Sequence, residues 1–491
     1  MESSNSVIKR LLSHSAVYWI GTFLTNMIGF FLIPLYTRYL QPADYGVLEL
    51  LVLSINVVTL LIGLQLTNAV AKFYDSAEGT DNKNKVVSTA IILIVLIAGL
   101  AFSSLIFSSD RVSVLVFGSV EYSQLFQIVF AAAFFGIIMQ IPLLLLRIHD
   151  KSKQFVIITL IRVVVTVGLT IYFVVALELG VLGIVSANAI VTALICGYLL
   201  TTTLAKVGFG FSSLYTREMV VYSAPLVPAA IGMFLIHFSD RFFLNHYSTL
   251  DELGLYSLAY KFGFLLAPLL IQPFGLVWGA KMFEIYRLEN SHDILRKIFR
   301  GYAFLVITAL FLLSLFINEI MIIMTTPQYY SAASLVPIIA LAYALNAINR
   351  LVMTPFYTEK KTKFIGLINS SAAIACIILN FVLIEPFGGL GAAVATLLTF
   401  SFILILNVYF SAKISSMRWP WSSLIKIIGI TIALLIVGEL VDIDSLVLSL
   451  IFKVILFVTF LTLVYHSNYF DKNYVKKIIG KIHTKAQAIT S

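Results

Sequence analysis

Charge is what this chain has least of. Only 12% of its 491 residues are Asp, Glu, Lys or Arg, against about 25% in a soluble globular protein. So few charges cannot clothe a water-facing surface for a chain of this length, which excludes a soluble fold. Cysteine is almost absent as well. Cys196 and Cys376 are the two, each inside an apolar run, so neither a disulfide framework nor a cysteine metal site can be drawn. No GxxxxGK[ST] loop occurs, because Gly480-Lys481 is followed by Ile482, and an ATP-driven engine goes with it. HExxH, GxSxG and paired-cysteine motifs are missing too, so no cofactor is expected. The longest polar stretches, near 72–87 and 281–300, are too short to hold the catalytic domain of a membrane glycosyltransferase or polymerase. An enzyme is the weaker class.

What the chain has in abundance is hydrocarbon. Apolar residues make up 60% of it and the mean hydropathy is +0.99. They come in runs of about twenty, the length that crosses roughly 30 Å of bilayer core at 1.5 Å per residue. The runs predict about fourteen spans, near 15–37, 47–70, 88–108, 124–146, 155–177, 180–204, 221–244, 255–280, 301–325, 332–356, 364–386, 388–411, 422–440 and 446–465. The alternating pattern of a membrane β-barrel does not occur, so the expected fold is an all-α polytopic membrane protein.

The net charge of +9 would suggest a nucleic-acid partner in a soluble protein. Here the distribution says otherwise. Of the 33 Lys and Arg residues, 26 fall on one side of the predicted bilayer, among them Lys9, Arg10, Lys83, Lys151, Lys206, Arg296, Lys361, Lys413 and Lys477. Arg38, Arg111 and Arg241 fall toward the other. This is the positive-inside signature, which puts both ends of the chain in the cytoplasm. The apolar run after Lys9 and Arg10 is too long for a signal peptide, so the first span is expected to stay as an anchor.

Sliding the sequence against itself by about 208 residues brings its punctuation into register. Tyr39, Gly46 and Leu50 fall on Tyr247, Gly254 and Leu258; Tyr122-Ser123 falls on Tyr330-Ser331; Gly180-Val181-Leu182-Gly183 falls on Gly388-Gly389-Leu390-Gly391. Lys151 and Lys153 have counterparts in Lys361 and Lys363. Two six-span units follow, 1–210 and 211–413, with two further spans and a basic tail in 414–491. An even number of spans leaves both units pointing the same way, related by an axis along the membrane normal. Two such bundles meeting across a central site is a transporter's architecture.

Charge in the middle of a span costs about 2.5–3.5 kcal/mol on insertion scales, so each case calls for a reason. Arg162 shares a helical face with Thr159, Thr166 and Thr170; Arg350 shares one with Tyr343, Asn346 and Thr354; Lys261 shares one with Ser257, Pro268 and Gln272. Asp240-Arg241 sits toward the end of the seventh span and Lys453 lies alone in the fourteenth. Each cation is close enough to a span end to snorkel to the interface, and this reading stays open, most of all for Lys453. Against it stands the sign: the embedded acids that face these cations are Asp240 and Glu49 alone. A cavity with surplus positive charge suits an anionic headgroup, since guanidinium matches phosphate bidentately. The candidate substrate-binding set is therefore Arg162, Lys261, Arg350, Arg241, Asp240 and Asn346.

Tyr18-Trp19, the run Leu32-Ile33-Pro34-Leu35-Tyr36-Thr37-Arg38-Tyr39-Leu40 and Asp44-Tyr45-Gly46 resemble the opening of bacterial polysaccharide transporters. So do Ser239-Asp240-Arg241-Phe242-Phe243-Leu244, Gly254-Leu255-Tyr256 and Gly180-Val181-Leu182-Gly183. Over about residues 10–412 the chain is similar to the O-antigen and lipid-linked oligosaccharide flippases of the multidrug/oligosaccharidyl-lipid/polysaccharide exporter superfamily. The resemblance implies a MATE-like fold and movement of an undecaprenyl-pyrophosphate-linked oligosaccharide between the leaflets of the bacterial inner membrane. It implies structural turns at Asp44 and Gly46, matched by Asp251 and Gly254, and a functional Asp240-Arg241 pair. It does not vouch for Arg162, Lys261 or Arg350. Membrane lipids, a coupling ion (a proton or sodium) and polymerase or chain-length proteins are the implied partners, with no nucleic acid and no nucleotide. A cation-coupled multidrug exporter and, from another class, a polysaccharide polymerase are the alternatives.

The orientation has a direct check. After Cys196 and Cys376 are replaced, Lys361→Cys is expected to react only with membrane-permeant thiol reagents and Asp251→Cys with impermeant ones in intact cells. Labelling of position 361 by an impermeant reagent would reverse the topology.

Overall fold

The computed structural model of the chain describes residues 30–441, 443, 445–467 and 469. Among them it is helical throughout, without a β-strand. Among the described residues twelve helices are long and apolar enough to cross a membrane. One of these, Lys363–Ile414, is two spans run together: Gly388 inside it has φ 51° and ψ −129°. The expected spans from 47–70 to 446–465 thus each have a helix, and the protein is an all-α polytopic membrane protein. The expected first span, 15–37, lies largely outside the described residues, as do Lys9, Arg10 and the basic tail from Lys472 onward; Ile33–Tyr39 is helical.

Several expected spans are not continuous. The second is broken into Pro42–Ile62 and Leu66–Ser76, with Leu64 at φ 46° and Gln65 at φ 52° between them. The fifth ends in a widened π-turn over Tyr172–Ala176. The eighth is interrupted by another at Ala267–Ile271, where Pro268 has no N–H to give to the regular ladder.

The chain divides into two compact units. The first holds the described residues up to Lys261 with Met324–Ala332 and Asn369–Thr399. Its core is built by Gly79–Phe107, Ser123–Ile148 and Gly180–Val207, with Val86, Ala90, Phe102, Phe126, Phe130 and Ile138 buried among them. Phe126 and Phe130 stack at 5.4 Å.

Within this unit Pro42–Ile62 and Leu250–Phe264 meet backbone to backbone at two repeat-related glycines. A methyl group on Gly46 would overlap the Leu250 carbonyl oxygen, and one on Gly254 would overlap that of Pro42. Aspartates brace the same junction. Asp44 accepts the Gln41 N–H at 3.0 Å, and Asp251 accepts that of Ala43 at 3.1 Å. The preceding turn is pinned by residues near 324–332: Tyr329 and Gln328 both donate to the Leu40 carbonyl, at 3.0 and 3.2 Å.

The repeat also appears in the backbone, at offsets of 208 and 210 residues. Gly180 and Gly388 share φ 51°, and Asp150 and Lys360 share φ 55°. Around the latter pair the hydrogen bonds agree: Lys151 N–H to the Leu146 carbonyl and Lys361 N–H to that of Phe356 are both 2.8 Å. The left-handed kink at Gly388 is anchored by Glu252, which accepts the Gly389 N–H at 2.6 Å.

The second unit holds Phe262–Ile323, Ala333–Ile368 and the described residues from Phe400 onward. Its aromatic centre has Phe274 stacked on Tyr302 at 3.8 Å and Tyr343 between Phe264 and Phe400. Trp421–Leu440 meets Ser291–Met324 at Trp421, 5.6 Å from Phe299, and Leu446–His466 packs on it through Phe460, 4.8 Å from Phe311. Lys453 makes the polar contact there. It is 8% exposed and lies 2.6 Å from Glu319, which also accepts from Ser449 at 2.8 Å. Lys453 is therefore paired and not alone in its span, because an embedded acid that sequence reading overlooked sits beside it.

The glycine contact sets an expectation. Gly254→Ala should destabilise the protein by roughly 1–3 kcal/mol, the usual cost of overpacking, in thermal unfolding in detergent. Gly232→Ala, on a helix with nothing within 4 Å of the added methyl, should leave stability unchanged or slightly raised. Equal behaviour of the two would mean the helices are not held at that distance.

Candidate functional site

Each predicted cation has its own surroundings. Arg241 is 3% exposed, as is Asp240, and its Nη1 donates to both oxygens of that carboxylate at 2.8 and 3.0 Å. A second donation reaches the His237 carbonyl at 2.9 Å. The guanidinium lies 3.7 Å from the Tyr260 ring centre, and Tyr256 donates its hydroxyl to Asp240. Tyr256 and Tyr260 are one helical turn apart and so face the pair together. The result is a closed nest with its charge cancelled.

Lys261 is also neutralised. Its Nζ is 2.5 Å from Glu49 and donates to the Tyr45 hydroxyl at 2.8 Å. Tyr45 packs edge-on to Tyr329 at 6.2 Å. This tie joins the same two helices that meet at Gly46 and Gly254.

Arg162 and Arg350 differ. Arg162 is half-buried and reaches Thr192 at 3.3 Å, which in turn faces Asn188 at 3.5 Å. Arg350, in the second unit, is exposed, with Asn346 half-buried one turn before it. Its guanidinium lies against Gly275, where an added methyl would come within 3.2 Å of Nη1. Neither arginine has a carboxylate partner among the described residues. The expected surplus of positive charge thus reduces to these two, while Arg241 and Lys261 are matched by Asp240 and Glu49.

Sequence reasoning missed the break in the second span. Two adjacent non-glycine residues in the left-handed region cost of order 1–3 kcal/mol each, and irregular backbone at membrane depth is tolerated where it is buried or lines a cavity. Here it borders a cavity of about 230 Å³. Asn56, Thr59, Gln65, Thr67 and Gln140 line it together with Ile94, Ile137 and Ile141. Thr59 Oγ1 is buried there without a hydrogen-bond partner. The lining offers amides and hydroxyls and carries no charged side chain, which suits a neutral polyhydroxylated ligand. Gly63 and Gln65 inside an apolar run were the available signal.

Pseudo-symmetric helix bundles with interrupted spans and a polar interior make up an architecture shared by membrane transporters. The chain belongs to the family described as "Polysaccharide biosynthesis protein", whose sequence model matches residues 11–278. Its fold is that of the lipid II flippase MurJ in the inward closed conformation, with TM-score 0.76 and 16% identity over 92% of this chain and 99% of that one. An inward-facing multidrug resistance MATE family transporter of the MOP superfamily matches with TM-score 0.61 and 14% identity, over 80% of this chain and 95% of that one. An uncharacterized membrane protein of Haemophilus influenzae is 24% identical over 263 residues, 52% of this chain. That match spans 61% of the relative's length.

The strain at the break can be measured. Gln65→Gly and Gln65→Val both lose the side-chain amide, but valine resists the left-handed conformation and glycine accepts it. Gln65→Gly should be the more stable by about 1–3 kcal/mol in unfolding midpoints. Equal stabilities would show that the break costs nothing.

Proposed function

We propose that this protein carries an undecaprenyl-pyrophosphate-linked oligosaccharide from the cytoplasmic to the periplasmic leaflet of the bacterial inner membrane. The product feeds a surface polysaccharide such as O-antigen, capsule or exopolysaccharide. The observation that carries this reading is the uncharged hydrogen-bonding cavity at the broken second span, in a chain that belongs to a polysaccharide biosynthesis family. Sugar hydroxyls dragged through hydrocarbon would each lose hydrogen bonds worth several kcal/mol. Asn56, Thr59, Gln65 and Gln140 can replace water for them while the polyprenyl tail stays in lipid.

Among the described residues Arg162 and Arg350 have no carboxylate partner, and in this reading each offers a contact to the pyrophosphate. Lys261 and Arg241 contribute by exchanging Glu49 or Asp240 for the ligand, and Asn346 adds a hydrogen bond beside Arg350. Alternating access follows from rocking of the repeats 1–210 and 211–413, with 414–491 as an accessory pair of helices. Both chain ends lie in the cytoplasm, as the lysine distribution implies. Protons or sodium acting on Asp240 or Glu49 supply the drive, and a polymerase with its chain-length partner consumes the product.

A multidrug exporter for organic cations needs an acid free to meet the drug. Asp240, Glu49 and Glu319 are each occupied by a cation, which favours the sugar substrate.

Deletion is expected to abolish the surface polysaccharide and to leave its lipid-linked repeat unit on the inner leaflet. Arg162→Ala and Arg350→Ala should each fail to complement at normal protein levels, since removing an embedded charge eases insertion by about 2–3 kcal/mol. Normal polysaccharide with new drug sensitivity would establish the exporter instead, and surface-exposed but unpolymerised repeat units would establish the polymerase.

A further inference from the structure

A second cavity, of about 190 Å³, lies in the first unit at the lysine-rich ends of its helices. The end of Ser123–Ile148, the turn after it, the start of Ser152–Ile171 and the end of Gly180–Val207 form its walls. Its rim is cationic and its floor apolar. Lys151, Lys206 and His149 stand at the rim, while Pro142, Leu145 and Ile158 lie in the floor. None of the sixteen lining residues is acidic, so a ligand there meets positive charge that no lining carboxylate offsets.

The rim is organised beyond what membrane orientation requires. Asp150 at φ 55° turns the chain between His149 and Lys151. His149 Nε2 hydrogen-bonds the Tyr74 hydroxyl at 2.7 Å, and the two rings meet edge to face at 5.7 Å. Lys83 lies over the Tyr74 ring at 5.3 Å. Burial, followed by the fields of Lys151, Lys206 and Lys83, holds the His149 imidazole below its ordinary pKa. Lys151 and Lys206 line one cavity with this histidine, and Lys83 stacks on the tyrosine that His149 bonds, an arrangement that the positive-inside rule alone does not require. The repeat-related turn has the same backbone but carries Glu359 where this one carries His149, so the cationic rim belongs to the first repeat.

Positive rim and apolar floor together select an amphiphile whose head is an anion. We propose that this cavity is a loading site for a phosphate-bearing lipid on the lysine-rich face of the membrane. The phosphate is that of the polyprenyl-pyrophosphate substrate or of a resident anionic phospholipid. The substrate assignment rests on the flippase reading; the phosphate chemistry stands without it. Arg162 lies one helical turn beyond Ile158 on the same helix, so it is the next cation that an anion leaving the rim encounters.

The test uses full-length protein in phosphatidylcholine nanodiscs, with p-benzoylphenylalanine replacing Tyr198, an exposed residue of the cavity lining. Illumination should crosslink polyprenyl pyrophosphate. Lys151→Ala with Lys206→Ala should raise the concentration giving half-maximal crosslinking by about tenfold or more, as loss of charge-assisted contacts does. Lys361→Ala, in the repeat-related turn, should leave it unchanged. Competition by added phosphatidylglycerol would identify a general anionic-lipid site, and lack of competition one reserved for pyrophosphate; both support the proposal. Unchanged crosslinking in the double variant, or an equal loss in Lys361→Ala, would overturn it and leave only bulk surface charge. Because crosslinking needs no transport, a normal surface polysaccharide in the deletion strain would refute the flippase reading and leave this site standing.

Discussion

A backbone in hydrocarbon has to hydrogen-bond to itself, and that requirement governs both where this chain is regular and where it gives way. The spans are helical because no other open element meets it. Where they break, the bonds are conserved in another form. The π-turn at Tyr172–Ala176 keeps a bond from the Leu177 N–H to the Tyr172 carbonyl at 3.2 Å. At Gly388 the carboxylate of Glu252 takes over the Gly389 N–H. The break at Leu64 and Gln65 borders a cavity with its own donors and acceptors. A strained segment kept in such a place points to use by a ligand, because a continuous helix would be the cheaper way to cross.

Charge inside the spans follows a second rule. Three carboxylates, at positions 240, 49 and 319, each hold a cation. Ion pairs roughly break even against an apolar replacement when buried, and Lys261 is partly exposed besides, so their value is positional. Lys261 and Glu49 tie Leu250–Phe264 to Pro42–Ile62 next to the glycine contact, and Lys453 and Glu319 tie the last helix to Ser291–Met324. Asp240 and Arg241 are neighbours in sequence and cannot join two helices by themselves; the hydroxyl of Tyr256 does it for them.

Spans and the 208-residue repeat were legible in the sequence because each is a local property, a run of apolar residues or a recurring turn. Pairings were not. Glu319 is 134 residues from Lys453, and no periodicity connects them, so Lys453 read as a lone snorkelling charge. Gly46 and Gly254 were visible as repeat markers, yet nothing in one dimension says that they touch. The broken second span shows the limit most clearly: hydropathy continues smoothly across 47–70, while the backbone does not. Arg162 and Arg350 could be picked out as embedded charges, but only the structure separates them from Lys261 and Arg241 by the presence or absence of a carboxylate.

That separation bears on how the proposed carrier releases its cargo. A ligand bound with equal strength in every conformation shifts no equilibrium, and one held by four unpaired cations would be slow to leave. Arg241 and Lys261 arrive already neutralised, so in the proposed carrier it is cations of the other kind, such as Arg162 or Arg350, that offer net charge to a pyrophosphate. Arg350 is exposed and Arg162 half-buried, so each contact with phosphate replaces some hydration and is correspondingly weaker than one made in a dry site. In the same proposal the sugar meets uncharged amides and hydroxyls whose net worth per bond is about 1 kcal/mol. Recognition spread over many weak neutral bonds and few partly hydrated cations can specify a headgroup without trapping it, and turnover demands that combination.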